Sequence, residues 1–133
     1  MGSYGVGVSR CLAAIAEATL DNSGLCWPRE IAPADVHVII AGKEGSPQVP
    51  AAEELTTSLE AAGLRVLLDD RSKASLGVKF KDAELIGVPT IVVVGRGIAD
   101  EENPTIEVKD RKSGEREDIA LGSIVEHLVA LCR

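Results

Sequence analysis

Between residues 68 and 85 the sequence reads "LDDRSKASLGVKFKDAEL", which sets Asp69, Asp70 and Arg71 at the end of an apolar run and Lys79, Phe80, Asp82 and Glu84 shortly after it. Such a mixture of signs is poorly suited to a bare phosphate, which the carboxylates would repel. It suits the edge of a nucleobase better. Guanine presents N–H donors to a carboxylate, while its O6 and N7 accept from Lys or Arg, so paired acids and bases can read an unstacked guanine. The same residues also fit a plain salt-bridge network at a strand end, and Lys79 with Asp82 fits an i, i+3 pair on a helix surface. Two further charged turns, "AGKEG" with Lys43 and Glu44 and "GRG" with Arg96, follow two other apolar runs. In open α/β sheets, ligands bind beyond the carboxyl ends of the strands, which is where all three turns fall.

Other chemistries find no residues to carry them. There is no phosphate-cradling G-x-x-x-x-G-K-[ST] run, and Gly95-Arg96-Gly97 lacks the third glycine of a dinucleotide loop. His37 alternates within a strand and His127 sits in the last helical segment, each without a metal-ligand or triad partner nearby in sequence, so both read as structural or surface groups. Cys11, Cys26 and Cys132 are an odd set without C-x-x-C spacing; they suggest neither disulfides nor a thiolate metal site and point to a reducing, cytoplasmic setting.

The elements that must position residues 69–84 follow from periodicity. "DVHVIIAG", "LRVLLDD" and "VPTIVVVG" are strands, separated by a helix whose stripe is Ala52, Leu55, Leu59 and Ala62 and by a shorter one with Phe80, Ala83, Ile86 and Gly87 on one side. Ser46 is placed to cap the first of these helices with Pro47 at its first position, and Gly63 closes it. Right-handed crossovers between such strands build a largely parallel sheet with helices on both faces. "PTIEVKD" and "EREDIA" then form an antiparallel hairpin around Ser113 and Gly114, and a final helix carries Ile124, Val125, Leu128, Leu131 and Cys132, with Ser123 as its cap. The expected fold is α/β: three layers, α/β/α, around a five-stranded mixed sheet. Before it, a helix over about residues 8–20 and the unperiodic "LCWPREIAPAD" predict a separate unit at 1–24, a linker at 25–34 that Trp27 packs against the domain, and the main domain at 35–133.

Composition bounds the function. Of 133 residues 45% are hydrophobic but only 2% aromatic, so the core is aliphatic, as suits a buried parallel sheet. A net charge of −7 disfavours a generic phosphate-driven nucleic-acid binder, yet Arg65, Arg71, Lys73, Lys79 and Lys81 make one basic patch against an acidic 100–118 segment. No run is long and apolar enough to span a membrane and no secretory leader is present, so neither a membrane nor DNA is an expected partner.

Two stretches carry a resemblance to a known family. "MGSYGVGVSR" at 1–10 resembles motif 3 of class II aminoacyl-tRNA synthetases, and "LDDRSKASLGVKFKDAELIGVPTIVVVGR" at 68–96 resembles the anticodon-binding domain of the prolyl enzymes of bacterial type. "WPREIAPADVHV" is similar to the junction between those two units. The resemblance implies recognition of the two guanines of the proline anticodon, with Asp69, Asp70, Arg71, Lys79, Asp82 and Glu84 as base readers and Phe80 as a stacking or packing residue. It implies that Gly5, Gly7 and Arg10 are ATP-binding positions in a parent enzyme that uses ATP and Mg2+, is cytoplasmic, forms a homodimer and ligates proline to its tRNA. Motifs 1 and 2 find no room here, so no catalytic residue, metal or cofactor is expected in this chain, and the helix at 8–20, lacking its partners, is expected to be partly disordered or to make non-native contacts. A receiver-like signalling domain shares the strand and helix rhythm, but Lys43 and Arg96 stand where it needs acids.

Overall fold

The computed structural model describes residues 4–42, 46–71, 73–99 and 101–132. In chain order they form α1 (Val8–Thr19), β1 (Val36–Ile40), α2 (Gln48–Ala61), β2 (Val66–Asp69), α3 (Leu76–Ile86), β3 (Thr90–Val94), a 3-10 turn (Arg96–Ala99), β4 (Thr105–Asp110), β5 (Arg116–Ala120) and α4 (Ile124–Cys132). The sheet order is β2-β1-β3-β4-β5. β1 pairs parallel with β2 and β3, and β4 runs antiparallel to both β3 and β5, so the mixed five-stranded sheet is as the sequence predicts.

Strand alternation divides the core in two. Val36, Val38, Ile40, Val92, Val94, Ile106 and Val108 face α2 and α4, whose Ala52, Leu55, Leu59, Ile124 and Leu128 are buried against them. On the other face Ile39, Ile91 and Val93 meet Ala83 and Phe80 of α3. These two clusters make the three layers. Burial of the aliphatic side chains drives the assembly, at about 25 cal/mol per Å² of apolar surface removed from water.

Two details differ from the sequence reading. Ser46 does not cap α2: Pro47 occupies the cap position without a side-chain bond, and the Ser46 hydroxyl is buried with no partner among the described residues. In α3 the side facing the sheet is Lys79 and Ala83, while Ile86 is 37% exposed, because the helix is rotated to put a lysine, not an isoleucine, over the strand ends. Ser75 caps this helix by accepting from the Val78 N–H.

The segment before β1 is stitched to the far end of α3. The Leu25 N–H donates to the Leu85 carbonyl and the Trp27 N–H to that of Gly87, a strand-like pairing along the helix terminus. Gly87 ends α3 at φ +79, and a Cβ there would fall inside the Leu25 carbonyl; a Cβ on Gly24 would come within 2.6 Å of Leu85 Cα. Arg111, 6% exposed, donates to both oxygens of Asp21 at 2.7 and 2.9 Å and to the Glu84 carbonyl at 3.1 and 3.0 Å. This pairing holds the Asp21 carboxyl well below the usual carboxylate range. One guanidinium thus ties three segments together. Arg111→Met keeps the stem but strips the helix end of its charged donors, and is expected to cost about 2–3 kcal/mol and lower Tm by roughly 10 °C in thermal unfolding.

α1 itself is helical, but none of its residues is buried, and Tyr4, Val6, Val8 and Leu12 are exposed.

Candidate nucleic-acid interface

β2 is an edge strand that no described helix covers on the α3 side. α3 lies over β1 and β3, so Leu67 and Asp69 of β2 and the flank of α3 are left as the floor and wall of an open groove of about 440 Å³. Its apolar lining includes Leu67, Leu85 and Ile86; its polar lining is His37, Asp69, Asp70, Arg71 and Asp82. Arg71 organises this rim. Its Nε donates to Asp69 Oδ1 at 2.9 Å, one terminal nitrogen to Asp69 Oδ2 at 2.7 Å and the other to Asp82 Oδ2 at 2.8 Å. Three of the five guanidinium N–H groups are therefore directed at two carboxylates held in fixed positions. Asp69, only 7% exposed at its side chain, is held below the usual carboxylate range first by the Arg71 hydrogen bonds, with the Lys79 charge adding to them against the effect of burial. Asp69 therefore faces the groove ionised at neutral pH.

Helical spacing separates the other sequence-predicted residues. At 100° per residue Lys79 and Ala83 point down at the sheet, Asp82 points to the β2 flank, and Phe80 and Glu84 point to the opposite one. Lys79 is 2% exposed, and its Nζ donates to the Ile40 carbonyl at 2.9 Å, at the carboxyl end of β1. Phe80 is half-buried against the sheet with the Lys109 ammonium 5.8 Å from its ring centre, and Lys109 stands 3.6 Å from Glu84. The structure thus brings Asp69, Asp70, Arg71 and Asp82 together, sets Lys79 beneath them, and puts Phe80 and Glu84 on the other side of α3. Lys43 and Glu44 lie outside the described residues.

Two participants escape a reading of the 68–85 stretch. His37 lies under the groove, and Lys109 completes the far flank. Alternation in "TIEVKD" carries a signal for the second: Ile106 and Val108 face one side of the sheet, so Glu107 and Lys109 face the other. For His37 the signal was that a histidine interrupts the Val/Ile run of a central strand.

Gly5, Gly7 and Arg10 line a shallow exposed hollow at the start of α1. One cation and one helix end leave a nucleotide's base and most of its phosphate charge without partners, so these residues do not by themselves make an ATP site. No group of His, Cys, Asp and Glu among the described residues could hold a metal, and no described helix is long and apolar enough to cross a membrane.

Residues 35–131, which hold the whole sheet, α2, α3 and all but the last residue of α4, match the family described as "Anticodon binding domain". The chain belongs to that family. Along its full 133 residues this anticodon binding domain chain is 56% identical to a proline–tRNA ligase of Nocardioides sp., of which it covers 22%. It is 59% identical over 131 residues to that of Acidothermus cellulolyticus and 57% over 130 residues to that of Kocuria rhizophila, covering 22% and 21% of them. The chain thus spans about a fifth of the length of these relatives. Among solved structures, a prolyl-tRNA synthetase from Cryptosporidium parvum complexed with L-proline and AMP superposes with a TM-score of 0.82 at 27% identity, over 93% of this chain and 26% of that one. The resemblance to prolyl enzymes noted in the sequence is borne out by these relatives, and so is the α/β fold.

Proposed function

We propose that this anticodon binding domain reads the guanines of the proline anticodon in the groove between β2 and α3, and that it does so as one part of a longer proline–tRNA ligase. The observation that carries the reading is the Asp69–Arg71–Asp82 network on the rim of an apolar-walled groove. A flat base slides between Leu67 and the Leu85 and Ile86 side chains, and its N–H edge meets carboxylates already desolvated in part and fixed in direction. Arg71 lies beside them to donate to O6 or N7. Asp70 stands exposed at the lip, and Lys79 acts through Asp69 by its charge. On the opposite flank Glu84 and Lys109, beside the Phe80 ring, offer the neighbouring guanine a carboxylate, an ammonium and an aromatic edge.

Residues 1–24 belong, on this reading, with the catalytic unit of the longer enzyme, where ATP and Mg2+ act; that enzyme works in the cytoplasm as a homodimer, and the chain alone does not aminoacylate. The reading is tested by titrating the chain with a proline anticodon stem-loop and with the same RNA carrying adenines for its two central guanines, at one fixed salt concentration. At least a tenfold preference for guanine is expected. Equal affinity for both would reduce the site to a non-specific charged patch.

A further inference from the structure

His37 is a buried histidine in β1, the middle one of the three parallel strands, whose other residues are all Val or Ile. It is 2% exposed, and its Nδ1 has no hydrogen-bond partner among the described residues. A buried polar atom left unpaired is destabilising, so a strand selected for stability alone would carry valine here. Its position is not arbitrary. In register His37 stands between Leu67 of β2 and Ile91 of β3, on the face that carries Asp69, and its ring lines the groove below the Asp69–Arg71–Asp82 rim. Local rules are broken without structural compensation chiefly where function requires it.

We propose that His37 is a specificity-determining residue of this groove, its neutral imidazole hydrogen-bonding the inner edge of the guanine whose outer edge the rim holds. The inference rests on the anticodon reading above and deepens it. A neutral imidazole has one donor and one acceptor, so it can complement a guanine edge that also carries both. Its neighbours support the neutral form on balance. Burial pushes the ring below its ordinary value, and the Arg71 charge adds to this, while Asp69 from β2 and Asp82 from α3 act in the opposite sense. From β3 the facing residue is the apolar Ile91.

The chain has two histidines, so their ring signals are readily separated by NMR. On titration with the guanine stem-loop the His37 ring signals are expected to move together with the amides of residues 69–71 and 82, while those of His127 stay still; with the adenine stem-loop neither should move. Amide shifts at the rim with an unmoved His37 ring would overturn the role of His37 and leave the groove reading intact. A spectrum unchanged up to millimolar RNA would overturn both.

His37→Val supplies the second readout. It is expected to raise Tm and weaken binding of the guanine stem-loop about tenfold, a combination that a purely structural histidine does not produce. The wild-type preference for guanine over adenine should also fall as pH is lowered from 7.5 to 5.0, as the ring protonates below its usual value, and the variant's preference should stay flat. Unchanged binding in a folded His37→Val would overturn the proposal.

Discussion

Arg71→Ala is expected to weaken binding of the guanine stem-loop by about 100-fold while leaving the fold nearly as stable as before. The two halves of that result have different causes. Arg71 is 46% exposed, and an ion pair at such a position adds little to stability, because water screens it. Its effect on the site is larger, because it is the common partner of Asp69 and Asp82, and without it neither carboxylate has a fixed direction. A missing donor to the base is added to this loss of preorganisation, and a charged hydrogen bond of that kind is worth about 1.5–3 kcal/mol. A plain salt-bridge network predicts the same small change in stability but unchanged RNA binding. The variant also alters the acid limb of the stability curve. Asp69 is depressed in the folded state, so its contribution is present above the ordinary unfolded value and is lost as pH falls through the folded one. Removing Arg71 takes away the first cause of that depression. The stability of the variant should therefore depend less on pH below about 4 than that of the wild type, as followed by urea unfolding at successive pH values.

Gly87→Ala is expected to be the most damaging single substitution outside the core. The left-handed conformation at φ +79 alone costs alanine about 1–2 kcal/mol. In addition, the new methyl group would overlap the Leu25 carbonyl, and backbone rather than a flexible side chain would have to move. Together these should remove about 3–5 kcal/mol, read as a lower urea midpoint with an unchanged slope. The damage should also reach the site. Displacing residues 25–27 breaks the Leu25–Leu85 and Trp27–Gly87 pairings, and the turn of α3 so released carries Glu84 and Leu85, one residue on each flank. Gly87→Ala should therefore weaken RNA binding more than a mutation of equal destabilisation in α2 does.

The layers of the fold were legible because they follow from period and composition. Apolar runs at β1 and β3, alternation in β4, and the Ala52, Leu55, Leu59 stripe are each imposed by which side chains must leave water. The charged stretch at 69–84 was equally legible as a candidate site, since it follows a strand end, and the resemblance of its motifs to a known family suggested the chemistry proposed for it. Sequence by itself determined the elements, the mixed sheet and the residue types offered to a ligand.

Only the tertiary structure decided how those residues are shared out. Whether Lys79 or Ile86 faces the sheet depends on the rotation of α3, fixed by the Ala83 contact with β1 and β3 and by the Gly87 and Arg111 anchors at its end, which no local pattern reveals. That rotation put Asp82 and Glu84, two residues apart, on opposite flanks. The packing of the elements also brought Arg111 to Asp21 across 90 residues of chain and placed His37 of β1 beneath side chains of β2 and α3. Long-range contacts of this kind come from packing whole elements together, and the sequence near each residue contains no record of them.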